Sequence, residues 1–198
     1  SGVVLARKAG TTSPNGKLQT IKLTDAVLNA IKLDTTVATV GDGNSANTYL
    51  TLKALALVDM NDQPVTAVTT GKLVKADEVK HYLTPDTTGP APVDFTLNMK
   101  TGKLVVDFNE VVNGNEIDMT KISVHNQDGT SSVDLTAGGT YPSTSVSSNG
   151  LSITVDIGAT DLNKIKADDA IATDDNTHAY VTFKASGIQD MNANPSSA

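Results

Sequence analysis

The amino-acid sequence predicts an all-β fold made of two tandem antiparallel β-sandwich domains, each with a short helical insertion. Three observations lead to this prediction: an internal repeat, a series of short strands with alternating apolar residues, and a composition rich in Thr, Ser, Val, Asp, Asn and Gly. These residue types favour strands and turns over helices. At 198 residues the chain is long enough for two domains that each bury a core.

The internal repeat joins residues 15–64 to residues 149–195. Its first block recurs at an offset of 134 (162 − 28) and its second block at an offset of 131 (190 − 59). Matching segments include Leu28-Asn29 with Leu162-Asn163 and Asp59-Met60-Asn61 with Asp190-Met191-Asn192. Repetition at a nearly fixed period identifies repeated structural units. The copies are unequal, because residues 90–126 have no counterpart ahead of the first copy.

Short strands divided by turn residues fill most of the chain. Residues 93–99 alternate apolar and polar side chains, residues 100–102 turn the chain, and residues 103–108 run back as the second strand of a hairpin. Further strands are predicted at residues 122–125, 131–135, 151–157 and 179–183. Antiparallel sandwiches and barrels have strands at this spacing.

One helical segment interrupts the strands in each copy. The segments begin at Thr24-Asp25 and at Thr160-Asp161, which are good N-cap residues. Their apolar side chains lie three residues apart, at Leu28 with Ile31 and at Leu162 with Ile165. Each segment is predicted to form a helix of two turns whose apolar pair closes one end of its sandwich.

A domain boundary is predicted near residues 84–92, which are rich in Pro, Gly and Thr and favour a stiff, extended linker. The predicted domains are residues 1–86, which lack an opening hairpin but keep a closing strand within 71–83, and residues 87–198, which lack a closing strand. Both would expose sheet edges that a neighbouring chain could pair with. The candidate interface residues are Val3, Val4, Leu5, Leu73, Val74, Val79 and Tyr82.

The charge balance excludes several partners. With a net charge of −7 and scattered Lys and Arg, the chain is not expected to bind nucleic acid or an anionic membrane. No apolar run reaches the 18 residues of a membrane span, so no membrane insertion is expected. Cysteine is absent, which excludes disulfides. No Asn-x-Ser/Thr sequon is present, while O-linked or bound glycans stay open.

Two motifs resemble a known family. Phe108-Asn109-Glu110-Val111-Val112 resembles the Phe-Ser-Glu-Pro-Val signature of the bacterial Ig-like domains found in tandem in S-layer and adhesin proteins. Residues 186–195 are similar to that family's Gly-Val-x-Asp-x-x-Gly-Asn-Pro ending, with Asn192-Ala193 where Gly is usual, and residues 57–64 match it less well. The resemblance covers residues 87–198 and part of 1–67. It implies seven-stranded Ig-like sandwiches in a spacer, adhesive or lattice-forming role without catalysis.

The second motif also resembles the first half of a calcium loop, in which alternate oxygen side chains converge on one cation. The candidate ligands are Asp59, Asn61, Asp190, Asn192 and Asn194, and Asp168-Asp169 and Asp174-Asp175 could add oxygens. The central Gly and the distal Glu of such a loop are missing. The alternative is that these residues form Asx-turns at strand ends. No cofactor is predicted apart from a calcium ion that these loops could hold.

Motifs for catalysis are weak, and the chain is not expected to be an enzyme. Residues 41–46 fit a dinucleotide-binding string, but a strand-like segment follows where a helix is needed. The three histidines are far apart in the sequence, and no nucleophile elbow occurs. The nearest acidic group for glycoside chemistry is predicted to flank a turn on a solvated edge: Glu110, Glu116 and Asp118.

The sequence therefore predicts a structural subunit or section of an extracellular or cell-surface filament or array. Copies of the chain would assemble head-to-tail, with strand complementation between neighbours. The alternatives are an adhesin or carbohydrate-binding spacer module, and an accessory domain of a secreted polysaccharide-degrading enzyme.

Overall fold

The computed structural model of the chain describes residues 14–17, 19–37, 50–67, 86–137, 144–145, 148–173 and 179–197. The chain divides into two compact units, Ser1–Pro85 and Asp86–Ala198, which are called unit 1 and unit 2 below. The fold is mainly β, with two small sheets and few helices. All residues proposed from the sequence as interface residues lie outside the described ranges, as do residues 41–46.

Unit 2 contains two antiparallel sheets. The described elements, in chain order from unit 1, are α1 (Asp25–Leu33), β1 (Pro92–Asn98), β2 (Lys103–Val112), a 3-10 turn (Met119–Lys121), β3 (Ile122–His125), β4 (Ser132–Asp134), β5 (Thr144–Ser145), β6 (Gly150–Asp156), α2 (Ala159–Ala167) and β7 (Tyr180–Phe183). One sheet has the order β1-β2-β6-β5 and the other the order β4-β3-β7. The predicted hairpin and the four further strands are confirmed.

The turn between β1 and β2 is defined by short-range hydrogen bonds. The Asn98 side-chain oxygen accepts the N–H groups of Lys100 and Thr101 at 3.1 and 3.0 Å. Gly102 follows with φ of +70°, a left-handed conformation that favours glycine. A Cβ atom at this glycine would lie 3.1 Å from a side-chain carbon of Leu162, so the turn packs closely under α2.

Both sheets share one hydrophobic core. On β2, Leu104, Val106 and Phe108 alternate inward and are nearly inaccessible to solvent. The ring of Phe108 meets that of Phe183, from the other sheet, edge to face at 5.6 Å. The core also includes Val112, Met119, Ile122, Val124, Val133, Leu135, Ile153, Val155, Ile157, Ile165, Ile171 and Ile188.

A register shift interrupts the pairing of β2 with β6. It falls between Asp107 and Val112, and three consecutive residues, Glu110, Val111 and Val112, are buried there. A bulge of this kind breaks strict alternation and re-aims side chains. Glu110 continues the inward alternation of β2, and Val111 is the buried residue that departs from it.

The two helices occupy equivalent positions in the repeat, because α2 begins 134 residues after α1 (159 − 25) and has the same length. The Thr24 side chain caps α1 by accepting the N–H of Val27 at 3.3 Å. The expectation of a threonine cap for α2 is wrong, since the cap residue is Gly158 and Thr160 lies within the first turn. The expectation for Leu28 is also wrong, because its side chain is 45% exposed.

Turn conformations recur with the repeat as well. Leu55 and its counterpart Ser186 have φ of +68° and +60°, and Asp62 and its counterpart Ala193 have φ of +58° and +63°. These are uncommon values for residues with a Cβ atom. The sequence repeat is therefore accompanied by a repeat of the helix and of these turn conformations.

Unit 1 differs from unit 2 in its strands. Within residues 14–37 and 50–67, with residue 18 not described, β-pairing is limited to single-residue bridges, such as the one between Val58 and Pro64. The segment predicted as strand-like near Leu50 contains one such bridge, at Leu52. The prediction of a first sandwich domain is not confirmed by this part of the chain.

A side-chain link joins the three strands of the smaller sheet. Asp134 on β4 accepts the hydroxyl of Ser123 on β3 at 2.5 Å, and the Lys184 ammonium group, just after β7, at 2.9 Å. These two contacts, the first being the larger cause, lower the pKa of Asp134 below its ordinary value. The folded state therefore favours the ionised form of Asp134.

Truncation of Ile165 to alanine is expected to lower the free energy of unfolding of unit 2 by about 2–5 kcal/mol, because this fully buried side chain would leave a cavity. The matched control is Ile31→Ala, the same substitution one repeat earlier at a half-buried position, where less apolar area is lost. Urea denaturation followed by circular dichroism measures both. Equal losses would contradict the difference in packing.

Acid is expected to weaken unit 2. Because the folded-state pKa of Asp134 is lowered, its stabilising effect is complete above the unfolded-state pKa and is lost as the pH falls through the folded-state pKa. The effect is modest, since the side chain is 57% exposed. Urea midpoints between pH 6 and pH 2 should fall less steeply for Asp134→Asn than for the wild type. The control is Asp94→Asn, an exposed aspartate on β1; an identical slope for all three proteins would contradict this assignment.

Candidate functional site

The loop of residues 188–196 is organised by Asp190. One oxygen of this carboxylate accepts the N–H groups of Asn192 and Asn194 at 2.8 and 2.7 Å. The loop in unit 1 has the same bonds, because Asp59 accepts the N–H groups of Asn61 and Gln63 at 2.8 and 2.9 Å. Both loops therefore contain the Asx-turns that were the alternative to a calcium loop.

The loop of unit 2 is attached to the end of β2. Val112 forms a bridge with Asp190, and the N–H of Asn113 donates to the carbonyl of Gln189 at 2.9 Å. Ile188 is 1% and Asp190 2% exposed. The carboxylate of Asp190 is consequently held in the interior beside the bulge of β2.

The segment that enters unit 2 contacts the same loop. Asn194 donates its side-chain amide to the carbonyl of Asp86 and to the second oxygen of Asp190, each at 2.8 Å. A Cβ atom built on Gly89 would lie 1.8 Å from the carbonyl oxygen of Pro195, so glycine is required for this close approach. Ala91 and Asn109 exchange two further bonds, of 2.9 and 3.1 Å, which align the entry segment beside β2.

Three carboxylates converge where these segments meet. One oxygen from each of Asp86, Glu110 and Asp190 lies within 4.8 Å of the other two. Glu110 and Asp190 are buried and Asp86 is half-buried. Like charges at this separation oppose each other strongly in a partly desolvated site. Hard divalent cations take carboxylate and carbonyl oxygens as ligands, so the group could hold calcium or a similar ion.

The structure brings together only part of the predicted ligand set. Asp190 belongs to the carboxylate group, and Asn194 supports it through its amide nitrogen. Asn192 is exposed, and its backbone N–H donates a hydrogen bond to Asp190 within the Asx-turn. Among the described residues one group of three His, Cys, Asp or Glu side chains is found, and Asp59 is not a member of it. Asp168 lies elsewhere and accepts hydrogen bonds from the Ser131 hydroxyl and the Ala170 N–H, which lower its pKa.

Sequence reasoning missed Asp86 and Glu110. The prediction that Glu110 flanks a turn on a solvated edge is wrong, because its side chain is only 6% exposed. The signal was available in the alternation of β2, since Glu110 has the same parity as the inward-facing Val106 and Phe108. Asp86 had no such signal, because its role depends on a contact with a loop more than a hundred residues away.

Other polar clusters have structural partners. The ring of His125 stacks on Tyr180 at 5.9 Å and contacts the Thr182 hydroxyl at 2.7 Å. Asp161, fully buried in α2, accepts the N–H and the hydroxyl of Thr136 at 2.7 and 2.9 Å. These side chains stabilise local packing.

A shallow depression of about 380 Å³ lies on unit 2. Its lining comes from two loops, with the residues Asn126, Gln127, Asp128, Asp169, Ala170 and Thr173. Amide and carboxylate groups of this kind can form hydrogen bonds with hydroxyl groups of a ligand.

Comparison of the chain with protein-family models, with curated proteins and with solved structures finds no match. In the part of the chain that the structure describes, no helix is long and apolar enough to cross a membrane.

Calcium is expected to raise the thermal midpoint of unit 2, because an ion bound by the folded carboxylate group stabilises by about 2.7 kcal/mol at one hundred times its dissociation constant. Glu110→Gln should remove most of this gain. Glu116→Gln, a matched change at an exposed position, should keep it. Differential scanning calorimetry with calcium or with a chelator measures the shift. An unchanged midpoint at millimolar calcium, or equal responses of both variants, would contradict a cation site.

Proposed function

We propose that the chain is a structural section of an extracellular or cell-surface filament or array built from Ig-like β-sandwich units. The observation that carries this proposal is the repeat, which extends from the sequence to helix position, helix length and the unusual turn conformations. Proteins made of repeated units commonly act as extended scaffolds, because each unit adds length by contacting its neighbours.

The sheets of unit 2 support the Ig-like interpretation. A four-stranded and a three-stranded antiparallel sheet cover one core, as in a seven-stranded sandwich. The buried Phe108 and Glu110 and the loop ending at Pro195 occupy the motifs on which the family resemblance rests. The extracellular assignment follows from that resemblance together with the acidic, cysteine-free composition.

Open sheet edges supply a route to assembly. Within the described residues, β1, β4, β5 and β7 each have a single neighbouring strand. β1 is the longest of these edges, and its Val93 is 63% exposed. An edge of this kind can pair with a strand from another chain. When the two paired surfaces differ, the contact is head-to-tail and yields an open polymer.

Carbohydrate binding is the second candidate function, as in an adhesin or a spacer module. It is favoured by the depression between the loops of residues 126–128 and 169–173, whose amide and carboxylate groups can bind hydroxyl groups. The aromatic content of 4% weakens this candidate, since sugar rings are commonly stacked on Trp and Tyr, and the chain has no Trp.

Sedimentation velocity and electron microscopy test the structural role. The chain is expected to form elongated species whose length rises with concentration. Val93→Lys should suppress them, because a lysine on an edge strand opposes strand addition. Leu151→Lys is the matched control, an exposed apolar residue on the interior strand β6.

A chain that stays monomeric at millimolar concentration would contradict the structural role. Equal effects of the two lysine variants would contradict the assignment of β1 as the assembling edge. Saturable binding on a glycan array that is abolished by Asp169→Asn would support the second candidate instead.

A further inference from the structure

Strand β1 is attached to unit 2 by fewer buried side chains than its neighbours. It pairs with β2 alone, and none of its seven residues is buried. Each of the other described strands of three or more residues contains at least one buried residue. The apolar side chains of Phe95 and Leu97 lie half-buried against the core. The strand is therefore held by its backbone pairing with β2 and by two partly covered side chains.

Residues 86–98, called the exchange segment below, contact parts of unit 2 that come later in the chain. Phe95 and Leu97 lie opposite Val106 and Leu104 of β2. The carbonyl of Asp86, at the other end of the segment, accepts the side-chain amide of Asn194 at 2.8 Å. A second copy of the chain has the same β2 and the same loop. The exchange segment of one chain can consequently form these contacts in another.

The connection from β1 to β2 is short. Residues 99–102 reverse the chain, and the N–H of Gly102 donates to the carbonyl of Asn98 at 2.8 Å. Gly102 has φ of +70° only because the chain turns back here. An extended connection needs no left-handed residue. Short hinge loops of this kind favour exchange of the segment on one side of them.

We propose that unit 2 exchanges residues 86–98 with a second copy of the chain. In the exchanged form residues 99–102 are extended, and β1 of each chain pairs with β2 of the other in the register described above. Mutual exchange gives a closed dimer, and one-way exchange from chain to chain gives an open polymer. The outer edge of β1 stays free. Exchange therefore adds to the edge pairing of the proposed function and does not depend on it.

The fit of β1 on β2 favours a second copy over an unrelated strand. The side chains of Leu104 and Val106 beneath β1 are at most 1% exposed, so a replacement strand must cover them with apolar residues on alternate positions. It must also follow the register shift between Pro92 and Asp94. The same segment from another copy meets both requirements by identity.

Paired cysteines test the exchange, because the chain has no cysteine of its own. Thr96 and Thr154 lie on either side of Val105, each directly opposite it across a strand pair. Residues placed in this way can form a disulfide. The variant Thr96→Cys, Val105→Cys is separated into monomer and dimer by gel filtration and then oxidised. Electrophoresis without reductant is expected to show a bond within the chain in the monomer and between chains in the dimer.

The matched control is Thr154→Cys, Val105→Cys, which joins β6 to β2. Neither of these strands belongs to the exchange segment, so the bond is expected to form within one chain in monomer and dimer alike. Oxidation of Thr96→Cys, Val105→Cys as a dilute monomer should also prevent later dimer formation. Oxidation of the control pair should leave dimer formation unchanged.

Two glycine variants form the second arm. Gly102→Ala is expected to raise the dimerisation constant by about tenfold or more, because alanine at positive φ disfavours the closed turn in both chains. Gly129 also has φ of +70°, in the turn between β3 and β4. Gly129→Ala introduces the same strain away from the hinge and should change the constant by less than about twofold. Sedimentation equilibrium measures both constants.

Three results would overturn the inference. The first is a Thr96→Cys, Val105→Cys bond that forms within the chain in every oligomer; if those oligomers are elongated, the structural role stands without exchange. The second is bonding between chains to the same extent in the control pair. The third is an equal effect of the two glycine variants, including the absence of a dimer for both at millimolar concentration.

Discussion

Unit 2 depends on strand β2, whose backbone is paired on both sides while its inner face supplies the core. It lies between β1 and β6, and Leu104, Val106 and Phe108 all point inward. A shift of one residue in either pairing would turn this entire face toward solvent. Glu110 continues this inward face, and the bulge at the end of the strand buries Val111 as well. This strand thus contributes to the core, to the larger sheet and to the carboxylate group.

The sequence pattern predicted the elements whose structure depends on neighbouring residues. The alternation through residues 93–108 predicted the hairpin, and the repeat located α2 from α1. The sequence pattern did not predict features that depend on contacts between distant segments of the chain. The alternation of β2 turns Glu110 inward, but the carboxylates of Asp86 and Asp190 that it meets there are far from it in the sequence. In unit 1 the apolar positions are those of a sandwich, but strands need partner strands, which the described residues of that unit do not provide.

The carboxylate group joins three segments that are far apart in the chain: the entry at Asp86, the end of β2 at Glu110, and the loop at Asp190. Repulsion among these groups opposes their approach, while the bonds donated by Asn194 and the absence of a side chain at Gly89 favour it. The closure of unit 2 at this point is a balance between electrostatic repulsion and hydrogen bonding. A divalent cation bound by the three carboxylates would offset their repulsion and strengthen this junction.

The Asx-turns of Asp59 and Asp190 have a consequence for how the repeat can diverge. Each turn is specified by its first residue, whose carboxylate accepts the following N–H groups, and the positions with positive φ are then occupied by Asp62 in one copy and Ala193 in the other. The aspartate side chain specifies the conformation of the turn, so the other positions of the loop can be substituted without changing that conformation. Copies of the loop can thus acquire different surfaces, one exposed and one buried, while remaining interchangeable as backbone modules.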